Sequence, residues 1–173
     1  VKSKKLLVIC DENVYPLYYP TLDKLLTKHE YEHNVVVIPP GESSKSLECA
    51  NYLYTEALNA HLDRQSTIIA LGGGVVGDIS GFIAATYMRG IGFIQIPTTL
   101  LAQIDSSIGG KVAVNHPAAK NIIGSFYQPN LVYINVNTLN TLPKREFVGG
   151  MAELIKYGYI WDIEFLNWIE KNI

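Results

Sequence analysis

The chain has 173 residues, 48% hydrophobic and 17% charged, a balance that excludes a disordered segment and lets one domain bury a sizeable core. Its net charge of −2 comes without a basic cluster, so a nucleic-acid partner is not expected. No apolar run reaches membrane-spanning length, so neither is a membrane partner.

In chain order, Leu6-Leu7-Val8-Ile9-Cys10 is a continuous apolar run of strand length that stops at Asp11-Glu12-Asn13. Runs apolar on both faces suit central parallel strands covered by helices. From Thr21, Leu22, Leu25 and Leu26 recur at helical spacing, and residues 35–38 read as a second strand stopped by Pro39-Pro40-Gly41. Leu47, Ala50, Tyr54, Ala57, Leu58 and His61 then make one helical stripe, with Ser46 as its N-cap. A third strand spans residues 67–71, a third helix runs from about Val75 to Met88, and a fourth strand spans 92–96 before Pro97. Residues 100–105 predict a short helix, Gly109-Gly110 a break, and 111–115 one arm of a hairpin. Residues 131–136 predict another strand, and from Lys144 the pattern is helical only, with a break near Asp162. Strands alternating with helices predict an α/β domain with a mostly parallel sheet and helices on both faces. The boundary falls at residue 143, and residues 144–173 begin an all-helical unit. Phe165, Ile169 and Ile173 share a stripe beside Leu166, an apolar face whose partner is expected in a longer protein. Cys10 and Cys49 lack metal or redox spacing and read as buried free thiols in a reducing cytoplasm.

The stretch with most chemistry starts at the end of the third strand. Gly72, Gly74 and Gly77 fit the G-x-G-x-x-G spacing, in which glycines let backbone N–H groups approach a pyrophosphate at a helix N-terminus. The turn follows the third strand rather than the first, and Thr98 and Thr99 stand where an ordinary fingerprint has a ribose-binding acid. Asp11 and Glu42 follow the first two strands, so ribose hydroxyls could be read by Asp11, Asn13 or Glu42, with Lys45 nearby. The alternative is that these acids are solvated loop charges. Asp78 falls in the first turn of its helix, where it either meets a ligand or complements the macrodipole. Arg89, Asp105, Lys111, Lys120 and Asn121 form a polar series suited to a phosphorylated or carboxylated substrate. Glu153 and Lys156, three apart on a helix, read as a surface ion pair.

Taken together, the motifs resemble the 3-dehydroquinate synthase family. They are Leu71-Gly-Gly-Gly-Val-Val-Gly-Asp78, Tyr87-Met-Arg-Gly90, Gln95-Ile-Pro-Thr-Thr-Leu-Leu-Ala102, Asp105-Ser-Ser-Ile-Gly-Gly-Lys111, Lys120-Asn-Ile-Ile-Gly124 and Ala152-Glu-Leu-Ile-Lys-Tyr-Gly158. Pro40-Gly-Glu-Ser-Ser-Lys45 and Asp11-Glu-Asn13 are similar to the family's early motifs, so the likeness covers the whole chain. The resemblance implies a Rossmann-like NAD domain followed by a helical domain that carries a divalent metal, zinc or cobalt. It implies conversion of 3-deoxy-D-arabino-heptulosonate 7-phosphate to 3-dehydroquinate and phosphate in the shikimate pathway, with NAD recycled in each turnover and the metal as Lewis acid. It also implies a cytoplasmic homodimer when full-length.

By the same resemblance Asp11, Asn13, Glu42 and Lys45 are adenosine-side NAD contacts, and Gly73, Gly74 and Asp78 form the pyrophosphate and nicotinamide side. Thr98, Thr99, Lys120, Thr138 and Thr141 complete the NAD set. Arg89, Asp105, Lys111, Asn121 and Lys156 match substrate positions, and Glu153 matches a metal ligand. Ala119 stands where the family often has glycine. The family's two other metal ligands are histidines that would lie beyond residue 173; His29, His33, His61 and His116 match none and read as surface or helix residues. With Glu153 alone the segment is expected to bind NAD but be inactive by itself, since catalytic zinc takes about three protein ligands. The alternatives are a glycerol-dehydrogenase-like or iron-dependent alcohol dehydrogenase, another sugar phosphate cyclase, and a binding module without catalysis.

Overall fold

The computed structural model describes residues 3–172. Its strands are β1 (Lys5–Asp11), β2 (Glu32–Ile38), β3 (Thr67–Gly72), β4 (Gly92–Pro97), β5 (Lys111–His116), β6 (Ala119–Phe126) and β7 (Leu131–Val132). The helices are α1 (Tyr15–Lys28), α2 (Leu47–Asn59), α3 (Gly74–Thr86), α4 (Lys144–Ile160) and α5 (Ile163–Asn172). A parallel sheet runs in the order β2-β1-β3-β4-β7, while β5 and β6 pair as a separate antiparallel hairpin.

Alternation along β1 divides the core into two layers. Leu7 and Ile9 point to the face covered by Leu53 of α2 and Ile79 and Ile83 of α3. Leu6, Val8 and Cys10 point to the other face, where Tyr19 and Leu26 of α1 pack. Residues with both neighbours in the sheet and a helix on each side have no polar face, hence the unbroken apolar runs of β1 and β3. Cys10 is fully buried, and that burial, helped by Asp11, pushes its thiol pKa up to about 12; Cys49 is only half-buried. The Ser46 hydroxyl accepts from Cys49 N at 3.2 Å, the cap expected for α2.

The elements differ from expectation at four places. Helix α1 opens at Tyr15 rather than Thr21, because Pro16 stands in its first turn, where a missing N–H costs nothing. His61 lies past the end of α2 with a left-handed φ of 50° instead of on its stripe. The run 131–136 contributes only two ladder residues: Tyr133 N donates to Gln95 O at 2.8 Å, and Pro97 then offers no N–H to continue. The turn after β4 is π-helical over Ala102–Ser106, with Ser107 N bonded back to Ala102 O at 3.1 Å.

The hairpin is fastened to the outside of α3 by Gly81. A Cβ there would lie 2.3 Å from Val112 Cγ1 and 2.9 Å from Phe93 Cε1, so hydrogen at this position lets helix, sheet and hairpin meet. Helix α4 follows the 3₁₀ turn Val136–Thr141, and Gly150 brings it against Leu100 and Leu101. Leu166 of α5 sits over Gly158 of α4; Leu166 and Ile169 are buried, which corrects the expectation of an uncovered stripe there. Ile173, the third residue named for that stripe, lies outside the described residues. Among the described residues no helix is long and apolar enough to cross a membrane.

Candidate functional site

All four long strands of the sheet end at one edge, and the segments that follow them line a cavity of about 1170 Å³. Asp11 and Asn13 come from the end of β1, Glu42 and Lys45 from beyond β2, Gly73, Gly74 and Asp78 from beyond β3, and Thr98 and Thr99 from beyond β4. Thr138 and Thr141 close it from the 3₁₀ turn. The carboxyl edge of an open parallel sheet is where such folds take ligands. A second cavity of about 710 Å³ lies between the π-helical turn and the hairpin, lined by Asp105, Lys111, Asn121 and Tyr157. The two share Asp78, Asp105 and Ser106 as a common wall.

The glycine turn is built for close approach. A Cβ on Gly73 would meet Thr99 Cγ2 at 3.0 Å, and one on Gly74 would meet Ser106 Oγ at 3.2 Å. Helix α3 begins at Gly74, so its unpaired N–H groups open onto the first cavity. Asp78 lies in the second turn of α3 rather than the first, so its role is not that of a first-turn charge. Its Oδ2 accepts from Lys45 Nζ at 2.5 Å, and the same ammonium donates to Asn121 Oδ1 at 2.5 Å. Lys45 is buried, with a side chain 6% exposed against 21% for Asp78. Burial raises the Asp78 pKa above its ordinary value, and Lys45 offsets this only in part. Lys45 therefore joins the two cavities.

Several polar groups lining the first cavity are also engaged in the fold. Asp11 Oδ1 accepts from the backbone N–H groups of Asn13 at 2.9 Å and Val14 at 3.0 Å, fixing the entrance to α1. The Thr99 hydroxyl accepts from Ala102 N at 3.2 Å and caps the π-helical turn. The Thr138 hydroxyl takes a bond from Gln103 Nε2 at 2.9 Å and gives one to Asn135 O at 2.8 Å, so packing explains that threonine without a ligand. Thr141 bonds Tyr18, whose hydroxyl also reaches Thr138 O at 3.1 Å.

Four of the named residues line neither cavity: Arg89, Lys120, Glu153 and Lys156. Arg89 follows the far end of α3, just before β4 begins, and so belongs to the opposite edge of the sheet. Lys120 is exposed on β6. Glu153 and Lys156 form the i,i+3 ion pair that their spacing predicts, and the carboxylate raises the lysine's pKa. Among the described residues no three His, Cys, Asp or Glu side chains are close enough to hold a metal ion, so these residues do not make a metal centre by themselves. Of the histidines, His33 is no plain surface residue: its Nε2 lies 2.9 Å from Asp23 Oδ1.

Sequence reasoning passed over Tyr18, Ser106, Asn115 and Tyr157. The Tyr157 hydroxyl donates to Asp105 Oδ1 at 3.3 Å, and loss of solvent followed by that carboxylate raises its pKa.

Comparison with known proteins agrees with the geometry. The chain is 58% identical to a 3-dehydroquinate synthase of Thermoanaerobacter sp. (strain X514) over all 173 residues, which cover 49% of that protein. It spans about half the length of the curated relatives it matches. Among solved structures it is similar to ValA, a 2-epi-5-epi-valiolone synthase of Streptomyces hygroscopicus subsp. jinggangensis 5008 with NAD+ and Zn2+ bound, at 34% identity and a TM-score of 0.88 over 92% of this chain and 45% of that one. A 2-deoxy-scyllo-inosose synthase complexed with carbaglucose-6-phosphate, NAD+ and Co2+ matches at 30% identity and a TM-score of 0.84 over 90% of this chain and 42% of that one. The family described as 3-dehydroquinate synthase N-terminal matches residues 35–149, the span from β2 through the glycine turn and both cavity walls into α4, and the chain belongs to that family.

Proposed function

We propose that this chain is the nucleotide-binding part of a 3-dehydroquinate synthase, which converts 3-deoxy-D-arabino-heptulosonate 7-phosphate to 3-dehydroquinate and phosphate. One observation carries the proposal: a glycine-turn cavity and a cavity holding Lys111 and Asn121 meet across Asp78, Asp105 and Ser106. A cofactor in the first would thus lie beside a substrate in the second. NAD+ is the cofactor of choice, because Gly73 and Gly74 line the first cavity at the N-terminus of α3 and acids stand at the ends of the neighbouring strands. The NAD+ and phosphorylated carbasugar named for 2-deoxy-scyllo-inosose synthase support the same pairing. Residues 1–143 form the nucleotide-binding unit in this reading, and residues 144–173 open the helical domain.

When bound, NAD+ supplies a hydride acceptor for a secondary alcohol and returns the hydride later in the cycle. This chain's residues bind and orient. Asp11, Asn13 and Glu42 accept from or donate to ribose and adenine groups, and the α3 N-terminus faces the pyrophosphate. Lys45 neutralises Asp78, which keeps an unpaired buried carboxylate from repelling the diphosphate. Lys111 faces the second cavity as a cation for the substrate's phosphate or carboxylate, with Asn121 beside it and Tyr157 holding Asp105. A divalent metal, zinc or cobalt, would need ligands in addition to Glu153. Working as a soluble homodimer in the cytoplasm completes the reading.

Calorimetry with NAD+ tests the first cavity, and an absence of heat at millimolar ligand sinks the cofactor assignment. In the intact enzyme, Lys111→Ala should lower kcat/KM for the heptulosonate phosphate by at least about tenfold, the scale of one charged contact. NAD+ affinity should stay within about twofold, well under the 1.4 kcal/mol of a tenfold change. Equal loss of NAD+ binding would refute the role given to Lys111.

A further inference from the structure

The hairpin is joined to the nucleotide-side loop by one side chain that no reading above uses. In the β5–β6 ladder Val114 pairs Ile123 and His116 pairs Ala119, so Asn115 alone stands opposite Lys120, Asn121 and Ile122. That irregularity frees Asn115 from its own ladder. Its backbone N–H instead donates to Lys45 O at 2.8 Å, and it bridges in parallel with Ser46. Its amide then works in two directions. Nδ2 donates to Glu42 Oε1 at 2.7 Å, and Oδ1 accepts from Asn121 N at 2.8 Å. This second bond supports Asn121, whose φ of 56° is left-handed, a conformation that asparagine adopts more readily than most residues but still at some cost. Held so, Asn121 presents its own Oδ1 to Lys45 Nζ. The chain Glu42–Asn115–Asn121–Lys45–Asp78 thus starts at the first cavity, passes through the hairpin and returns to the wall between the cavities. Irregular ladders recur next to functional sites because they re-aim a side chain in this way.

We propose that Asn115 is a positioning residue that ties the nucleotide-side Glu42 to the substrate-side Asn121, so that occupation of the first cavity sets the geometry of the second. The inference rests on reading the first cavity as the NAD+ site. An amide suits the position, since its Nδ2 donates to a carboxylate while its Oδ1 accepts from a backbone N–H. The titratable groups linked to it are Glu42, which its Nδ2 meets, Lys45, whose carbonyl takes its N–H, Asp78 beyond the Lys45 ammonium, and His116 and Lys120 beside it in the hairpin.

The experiment compares Asn115→Ala, Asn115→Asp, Glu42→Gln and the double variant combining Asn115→Asp with Glu42→Gln in the intact protein, by NAD+ calorimetry at pH 8 and pH 5.5. Asn115→Asp keeps the acceptor for Asn121 N–H but sets a carboxylate against Glu42. It should weaken NAD+ at pH 8 by about tenfold, the scale of one charged hydrogen bond. Most of that loss should return at pH 5.5, where two facing carboxylates share a proton. Asn115→Ala should be equally weak at both values. In the double variant, the amide introduced at position 42 donates to the carboxylate introduced at position 115, so the loss should be smaller than the sum of the single losses. Additive losses, a pH-independent Asn115→Asp, or wild-type affinity in both Asn115 variants would overturn the inference while leaving the cofactor reading intact. A wild-type protein that takes up no NAD+ would overturn both.

Discussion

At the residue scale, the site turns on one buried cation. Lys45 lies within hydrogen-bond reach of both Asp78 and Asn121, so removing it leaves a carboxylate in a dehydrated wall. Lys45→Met should therefore destabilise the ligand-free protein by about 3 kcal/mol, read as a lower urea midpoint with unchanged slope. Adding Asp78→Asn should restore part of that loss. Two aspartates should respond to pH in opposite senses. Burial holds the folded-state pKa of Asp78 above the ordinary 3.8, so its stabilising contribution is complete below that value and disappears as pH rises through the raised pKa. The hydrogen bond from His33 holds Asp23 below 3.8, so its contribution is present above that value and is lost as pH falls through the lowered pKa. Plotted against pH, wild-type stability minus that of Asp78→Asn should fall with rising pH, and the same difference for Asp23→Asn should rise. Parallel curves would contradict both assignments.

At the scale of elements, α3 carries the architecture: it opens the first cavity at one end and holds the hairpin of the second along its flank. Gly81 is the contact that permits this, so Gly81→Ala should cost about 2 kcal/mol through overpacking against Val112 and Phe93. In a Val112→Ala background the same change should cost less, because only the Phe93 contact is then left, a coupling that thermal unfolding of the four variants would measure. The strands that anchor α3 were legible because β1 and β3 are buried on both faces, which leaves continuous apolar runs. Helix α2 was legible from Ser46 and its stripe. Residues 131–136 misled because apolar content says nothing about whether a neighbour has an N–H to offer, and Pro97 has none. The sequence pattern starts helix α1 six residues late, because Pro16 and Pro20 look like breaks until Pro16 is placed in the first turn.

At the scale of the whole molecule, the first cavity was largely legible, since the residues after each parallel strand must gather at one edge. The second was less so. Tyr157 and Asn115 act through contacts between segments far apart in sequence, Tyr157 with Asp105 and Asn115 with Glu42, and no local pattern announces such a meeting. Arg89 is placed by the fold at the opposite edge of the sheet, a position that its motif alone does not announce. If the first cavity takes NAD+, ligand at one hundred times Kd should add about 2.7 kcal/mol to unfolding stability, seen as a concentration-dependent rise in Tm. A Tm that ignores NAD+ would count against that occupant.

The wall shared by the two cavities is made by three side-chain positions, Asp78, Asp105 and Ser106, and is therefore thin. Two small molecules seated on either side of it are neighbours that a short tether can join. The second binding step of such a linked inhibitor becomes intramolecular, with an effective concentration on the order of millimolar. Fragments that bind either cavity weakly could in this way be combined into one tight and selective compound.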